Sequence, residues 1–342
     1  MAVLTGRHRF LLNRLIFITQ RVDAEDPVLA ATIPQIRALA ARVENLVVLA
    51  QSGSASGLPE NVFLRTFDAP SRARRGMRFA YELLRALPAD AVVAHMVPLY
   101  VVLAAPFVRP RRIPLVLWFT HWRASAVLRV AERMSTAVAS VDRRSFPLDS
   151  AKVRAIGHGI DITEFACAER SGDSRLHAVV LGRYSPAKGL ATILEAAREV
   201  GDVELELHGA ALNDLERRHR RELEKYGFAL GDSVPRSRVP ELFSRADVLV
   251  NNMRAGAPDK VVYEAAAACL PVLASNPVFD ELFGELPLSF QRNDSASLAE
   301  RLRWLASLSG AERTLIGRTL RARVADRHSV ETWAEGIIRA AK

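Results

Sequence analysis

HAVVLGRYSPAKGLATILEAAREV, residues 177–200, is the stretch whose reading decides the fold. His177–Gly182 is an apolar run that reads as a buried strand, a turn with proline and two glycines follows, and Lys188–Val200 carries apolar residues at helical spacing. A strand that passes through a tight turn into a helix is the first half of a βαβ unit, from which parallel sheets are built. Free backbone N–H groups and the helix dipole make such a turn favourable for phosphate. Arg183 and Lys188 flank it, two cations placed to clamp a diphosphate. The turn is not a Walker loop, and the chain contains no G-x-G-x-x-G. A basic turn of this kind also occurs as plain structure, so its neighbours carry weight.

Working outward, the same alternation runs in both directions. Downstream, Val203–Gly209, Val248–Met253 and Pro271–Ser275 read as strands, with helices over Leu212–Tyr226, Pro240–Arg245 and Lys260–Cys269 between them, and Ser295–Ala341 reads as helices. Upstream, a polar stretch (CAERSGDSR, 167–175) reads as a linker. Before it, strands are expected over Leu15–Gln20, Asn45–Gln51, Val62–Phe67, Ala91–Met96, Leu115–Thr120 and Thr136–Val141, with helices over Ile33–Val43, Ser71–Leu87 and Ala124–Met134. Two doubly wound α/β domains in tandem follow: residues 1–165, residues 166–327, and a terminal helix over 328–342 expected to pack back on the first domain. Ligands of such sheets bind beyond the carboxyl ends of the strands, and two such edges facing each other make one cleft.

A second constellation, APDKVVYEAAAACLPVLASN (257–276), follows the strand Val248–Met253. Lys260 and Glu264 are four residues apart and share a helix face. They are either an exposed ion pair or a site in which Glu264 accepts two ribose hydroxyls and Lys260 meets phosphate or sugar. Lysine is informative here, because 42 of the 47 basic residues are Arg, and Lys188 and Lys260 are two of only five lysines.

The chain of 342 residues has a formal charge of +9, with 49% hydrophobic and 25% charged residues. That composition excludes a disordered or fibrous chain. Residues 1–165 hold 22 Lys+Arg against 13 Asp+Glu, whereas 166–342 hold 25 of each, so the whole excess lies in the first half. Such asymmetry points to an anionic partner: nucleic acid, a membrane surface or an acidic substrate. Arg72, Arg74, Arg75 and Arg78 fall in one helical stretch beside Met77 and Phe79, as in a helix lying on a membrane surface. No nucleic-acid motif or aromatic stacking platform accompanies them, which makes nucleic acid unlikely. Cys167 and Cys269 alone rule out a disulfide framework and suit a reducing cytoplasm. The N-terminus lacks the run and cleavage site of a signal peptide. Ala91–Val108 has no charge, but His95, Pro98 and Pro106 interrupt it, and a buried strand feeding a short buried helix is expected there rather than a membrane span. No cluster has metal-ligand spacing, and neither metal nor cofactor is expected.

Taken together the two constellations resemble the donor domain of the family 4 retaining glycosyltransferases (glycosyl transferases group 1). Gly182, Arg183, Lys188 and Gly189 match its G-R-x-x-x-x-K-G stretch, and Glu264 through Val272 match its E-A-x-A-x-G-x-P-V stretch. The resemblance extends to residues 153–165, 91–100 and 115–122, and to a subgroup with a TQ-x-VD-x-x-DPVL start that matches Thr19, Gln20, Val22, Asp23 and 26–29. It implies the GT-B fold and a metal-independent hexosyltransferase. Arg183 and Lys188 would bind the diphosphate of a nucleotide-sugar donor and Glu264 its ribose, with Gly182, Asp259 and Lys260 beside them. Departures are Gly256, where the family commonly has the first Glu of E-x7-E, and Cys269-Leu270, where a Cys-Gly pair is common. The subgroup with D-K-V-V-x-E also lacks that Glu, so Asp259 and Lys260 would serve the sugar instead. His95 matches a family histidine that contacts the transferred sugar. His121 in WFTHW and Asp23 are acceptor-side candidates, and His158 in GHG reads as turn structure.

The function expected is transfer of a hexose-type sugar from a nucleoside diphosphate to a glycan or lipid-linked acceptor, in the cytoplasm or at the inner face of the membrane. The alternatives are a nucleotide-sugar epimerase or phosphorylase on the same fold, and a basic membrane-binding module with a vestigial donor site.

Overall fold

β-Branched and leucine-rich runs form the strands of two sheets, each buried on both faces, as parallel sheets are. The computed structural model describes residues 12–24, 26, 32–170, 172–173 and 175–342. The N-terminal segment and positions 27–29 of the start motif lie outside the described residues.

The first sheet comprises β1 (Leu12–Val22), β2 (Val43–Gly53), β3 (Val62–Thr66), β4 (Ala91–His95), β5 (Leu115–Trp118), β6 (Ala137–Ser140) and β7 (Val153–Ala155), in the spatial order β3-β2-β1-β4-β5-β6-β7. The second comprises β8 (Leu176–Leu181), β9 (Val203–His208), β10 (Leu230–Gly231), β11 (Val248–Asn251) and β12 (Val272–Ala274), ordered β10-β9-β8-β11-β12. All pairings are parallel. Both sheets therefore reverse strand order at one place, between β1 and β4 and between β8 and β11, and crevices open beyond the carboxyl ends at those points. β7 and β10 are short edge strands of three and two residues, too brief to show a period in sequence.

Ala91–Val108 divides into β4 and a helix over Pro98–Val108, and among the described residues no helix is long and apolar enough to cross a membrane. Helix Arg72–Ala86 is capped by Ser71, whose side chain accepts from the Arg74 N–H. Only Phe79, Leu83 and Ala86 of that helix are buried.

Three helices end the chain, over Ser295–Ser307, Gly310–Arg327 and Val330–Ala340. The last crosses to the first sheet, where Trp333 is fully buried with ring centroids 5.7 Å from Trp118 and 6.4 Å from Phe17. Arg42 pairs with Glu335 at 3.1 Å on the same seam. Strand and helix chains thus cross side by side: Ile160 accepts from the Val330 N–H and donates to the His328 carbonyl.

One expectation needs correction. Cys167 and Cys269, 102 residues apart, are joined by a disulfide, with Cα atoms 4.9 Å apart. The linker after Phe165 folds back over the end of helix Lys260–Ala267, bringing Cys167 onto the turn that carries Cys269. Two cysteines so far apart in sequence gave no sign of that return path.

Candidate functional site

Between the two switch points lies a cleft cavity of about 410 Å³, lined by His95, His121, Trp122, His158, Arg183, Lys188, Asp259 and Lys260 among others. Each comes from a strand end or the loop after it. β4 delivers His95, β5 leads to His121, β8 leads to Arg183 and Lys188, and β11 leads to Asp259.

Gly182 shapes the turn after β8. Its φ is +145°, and a Cβ there would lie 2.4 Å from the Lys188 Nζ, so only glycine leaves room for that side chain to fold back across the turn. The ammonium is held by the Asp259 carboxylate, which also accepts from the Asn251 Nδ2 at 2.8 Å. An ammonium has three donors, and the bond to Asp259 fixes the direction of the Lys188 side chain while leaving donors unused. Arg183 pairs with Glu216 at 3.2 Å and is otherwise half exposed.

Glu264 is buried on helix Lys260–Ala267. It accepts from the Arg236 Nη1 at 2.6 Å and lies 3.5 Å from the Lys260 Nζ. Burial alone would raise its carboxyl, but Lys260 and Arg236 outweigh burial and hold it below the usual carboxylate range. Arg236 also reaches Glu164 at 2.5 Å, at the end of the first domain. Together Arg236 and Glu164 line an adjoining cavity of about 680 Å³ with Asp26 and Arg37.

His95 is 6% exposed, and its Nδ1 is 3.1 Å from the Thr19 hydroxyl. Burial pushes its pKa down to about 3, with Lys260 and His158 adding to the effect, so the ring is neutral. His158 is likewise lowered, to about 4, by burial and then Lys260. The His121 Nδ1 accepts from the Arg123 N–H at 2.9 Å, which leaves the proton of the neutral ring on Nε2.

Of the residues singled out in sequence, His95, His121, Arg183, Lys188, Asp259 and Lys260 share one cavity, Gly182 supports Lys188, and Glu264 sits behind Lys260. Asp23 lines neither cavity; Ala24 and Asp26 of the same loop line the second. His158 is a cleft residue as well as a turn residue, because the crossing of the terminal helix aims GHG at the cavity. Arg236, Asn251 and Trp122 were not singled out. The Asn-Asn pair that ends β11 was the one local signal for Asn251. Among the described residues no group of three or more His, Cys, Asp or Glu is placed to hold a metal ion.

Comparison with known proteins gives three results. Residues 175–307 match the family described as glycosyl transferases group 1. No curated protein sequence matches the chain significantly. Among solved structures it resembles Anabaena Alr3699/HepE in complex with UDP-glucose (17% identity, 95% of this chain and 98% of that one, TM-score 0.76). It is also similar to a sucrose-phosphate synthase from Thermosynechococcus elongatus (16%, 95% and 97%, 0.72). A third is an α,α-trehalose-phosphate synthase from Burkholderia xenovorans in complex with glucose-6-phosphate (14%, 96% and 100%, 0.72). At these identities the likeness establishes the GT-B fold.

Proposed function

We propose, from the match of residues 175–307 to glycosyl transferases group 1, that this chain is a retaining hexosyltransferase of that family using a nucleoside-diphosphate sugar. The observation that carries the reading is the meeting of the Gly182–Lys188 turn and the Lys260–Glu264 pair at one switch point, opposite His95 at the other.

In this reading Lys188 and Arg183 hold the diphosphate, beside the first turn of helix Lys260–Ala267, whose N–H groups and dipole favour an anion. Glu264 accepts from the two ribose hydroxyls, and Arg236 swings aside or shares the carboxylate. His95, neutral and fixed by Thr19, contacts a hydroxyl of the transferred sugar; Asp259 and Lys260 serve the sugar where Gly256 supplies no carboxylate. The acceptor oxygen forms its bond to the anomeric carbon on the face from which the diphosphate departs, and the acceptor proton passes to a leaving phosphate oxygen. Charge growing on that phosphate is met by Lys188 and Arg183, preorganised in a cleft, so no metal is required. The domains are taken as 1–165 for the acceptor, 166–327 for the donor, and 328–342 returning to the first.

The acceptor is a glycan or lipid-linked hydroxyl compound, and the first domain brings the enzyme to anionic lipid. Support comes from helix Arg72–Ala86, where Met77, Tyr81 and Leu84 are 65%, 57% and 45% exposed among Arg72, Arg74, Arg78 and Arg85. The enzyme would then work at an anionic membrane surface; with Cys167 and Cys269 joined in a disulfide, the cysteines no longer point to a reducing cytoplasm.

A thermal-shift screen of nucleotide sugars tests the donor, since a ligand that binds the folded state raises the melting temperature. One donor should stabilise the protein and be turned over with EDTA present. Epimerisation or phosphorolysis of the donor alone would overturn transfer in favour of the alternative reactions.

A further inference from the structure

At the rim of the cleft, three arginines from different elements surround the Trp122–His121 corner without a carboxylate among them. The Arg254 guanidinium lies 4.0 Å from the centroid of the Trp122 ring, across the gap between the domains. Its backbone is fixed: the Arg254 N–H donates to the Ala187 carbonyl at 3.2 Å, and the Asn276 Nδ2 donates to the Arg254 carbonyl at 2.9 Å. On the other side Trp122 stacks on His121, with centroids 5.3 Å apart and planes at 23°, and Arg123 follows. Arg292 reaches the Ala187 carbonyl with its Nη2 at 3.4 Å, while its buried Nε has no hydrogen-bond partner. Gly256, with φ +78°, lies against the corner; a Cβ there would stand 3.4 Å from the Trp122 Cβ, in ordinary contact, and it is the positive φ that favours glycine.

Within this group Arg254 acts on Arg292, and Arg123 on His121. Burial and then Arg254 lower Arg292, and burial, Arg123 and Arg183 lower His121. Among the described residues, Arg123, Arg254 and Arg292 form no ion pair, whereas Arg183, deeper in the cleft, is matched by Glu216. Clustered guanidinia with unused donors are the arrangement that receives a multiply charged, multi-oxygen anion. The donor diphosphate is accounted for by the Gly182–Lys188 turn, and Trp122 belongs to the first domain, the acceptor's side.

We infer that the acceptor carries a phosphate or diphosphate group, which docks on Arg123, Arg254 and Arg292 beside Trp122. The inference rests on the donor reading given above. The phosphate is not transformed; it positions the acceptor, whose hydroxyl alone reacts. A sugar phosphate and a prenyl-diphosphate-linked sugar share this chemistry.

Calorimetric titration of the full chain, alone and saturated with UDP, decides it, with glucose 6-phosphate and farnesyl diphosphate as probes and glucose and farnesol as their neutral counterparts. A phosphorylated probe should bind with UDP present and outcompete its neutral counterpart, and Arg254→Gln and Arg123→Gln should each weaken it by about tenfold or more while UDP affinity holds. Preference for glucose 6-phosphate identifies a soluble acceptor, and preference for farnesyl diphosphate a lipid-linked one; both support the inference. Equal binding of charged and neutral probes overturns it. So does unchanged probe binding in both variants, or a matching loss of UDP affinity, which would assign the arginines to the donor. Failure of UDP to bind at all would count against the donor reading, while the probe comparison still decides this one.

Discussion

Arginine is used in opposite ways in the two halves of the molecule. In the second, Arg313 is fully buried and donates to the carbonyls of Leu305, Ala306 and Asp173 at 2.9–3.0 Å. Arg170 does the same for Phe243, Ala246 and Ala268, and Arg323 for Leu282 and Phe283. Most of these carbonyls belong to last helical turns, which have no partner within the helix. Arginine here acts as a five-donor plug for helix ends. In the first half, Arg72, Arg74, Arg78 and Arg85 stand on an exposed helix face among Met77, Tyr81 and Leu84. Arg85 lies over the Tyr81 ring at 5.5 Å. The same residue type plugs helix ends in one domain and forms a surface field on the other, so net charge by domain does not by itself say which arginines meet a partner.

Replacing a plug should have the largest effect. Arg313→Met strands buried carbonyls and removes the cation 3.9 Å from the buried Asp247 carboxylate, and is expected to cost about 3–5 kcal/mol in urea unfolding. A loss near zero would mean water reaches those carbonyls and the two uses of arginine are alike.

Next is the pH response of the buried imidazoles at the domain junction. His95 takes up its proton near pH 6.5 when unfolded but only near pH 3 when folded. Below pH 6.5 the unfolded chain therefore binds the extra proton and stability falls as pH falls. His95 alone contributes about 2 kcal/mol of loss between pH 6.5 and 5. Denaturation at the two pH values should show this, and His95→Phe should reduce the dependence by that amount, leaving the same-sign contributions of His158 and His328.

Much of this could be read from the chain before its structure. The strand-turn-helix over 177–200 and the Lys260–Glu264 spacing pointed to the second parallel sheet and to residues that meet at one cavity, because strand burial, glycine geometry and i,i+4 pairing are local. What stayed hidden was set by distant contacts. β10 has two residues and no period. Arg236 meets Glu264 from 28 positions away, and Cys167 meets Cys269 across 102. His158 faces the cleft because the terminal helix crosses beside it. Nor does composition distinguish a plugging arginine from an exposed one, and the neutral total of the second half hides Arg254 and Arg292, two of the three uncompensated arginines at the cleft rim.

The smallest effects on stability belong to the exposed helix. Arg74→Gln and Arg78→Gln should leave unfolding within about 0.5 kcal/mol of wild type. Each should nonetheless weaken sedimentation with anionic vesicles at low salt, by about 1 kcal/mol per charge. If vesicle binding is unchanged, or the variants unfold easily, the helix face is structural and the contrast between the halves disappears.

The most direct measurement is calorimetric titration of the full chain with UDP, GDP, ADP and dTDP, repeated for Glu264→Ala. At least one nucleotide should bind the wild type, and the substitution should weaken it by about tenfold or more, because a buried carboxylate bonded to ribose is lost and Arg236 and Lys260 are left without their partner. Absence of binding by every nucleotide, or equal binding by Glu264→Ala, would contradict a nucleotide-sugar site between the two sheets.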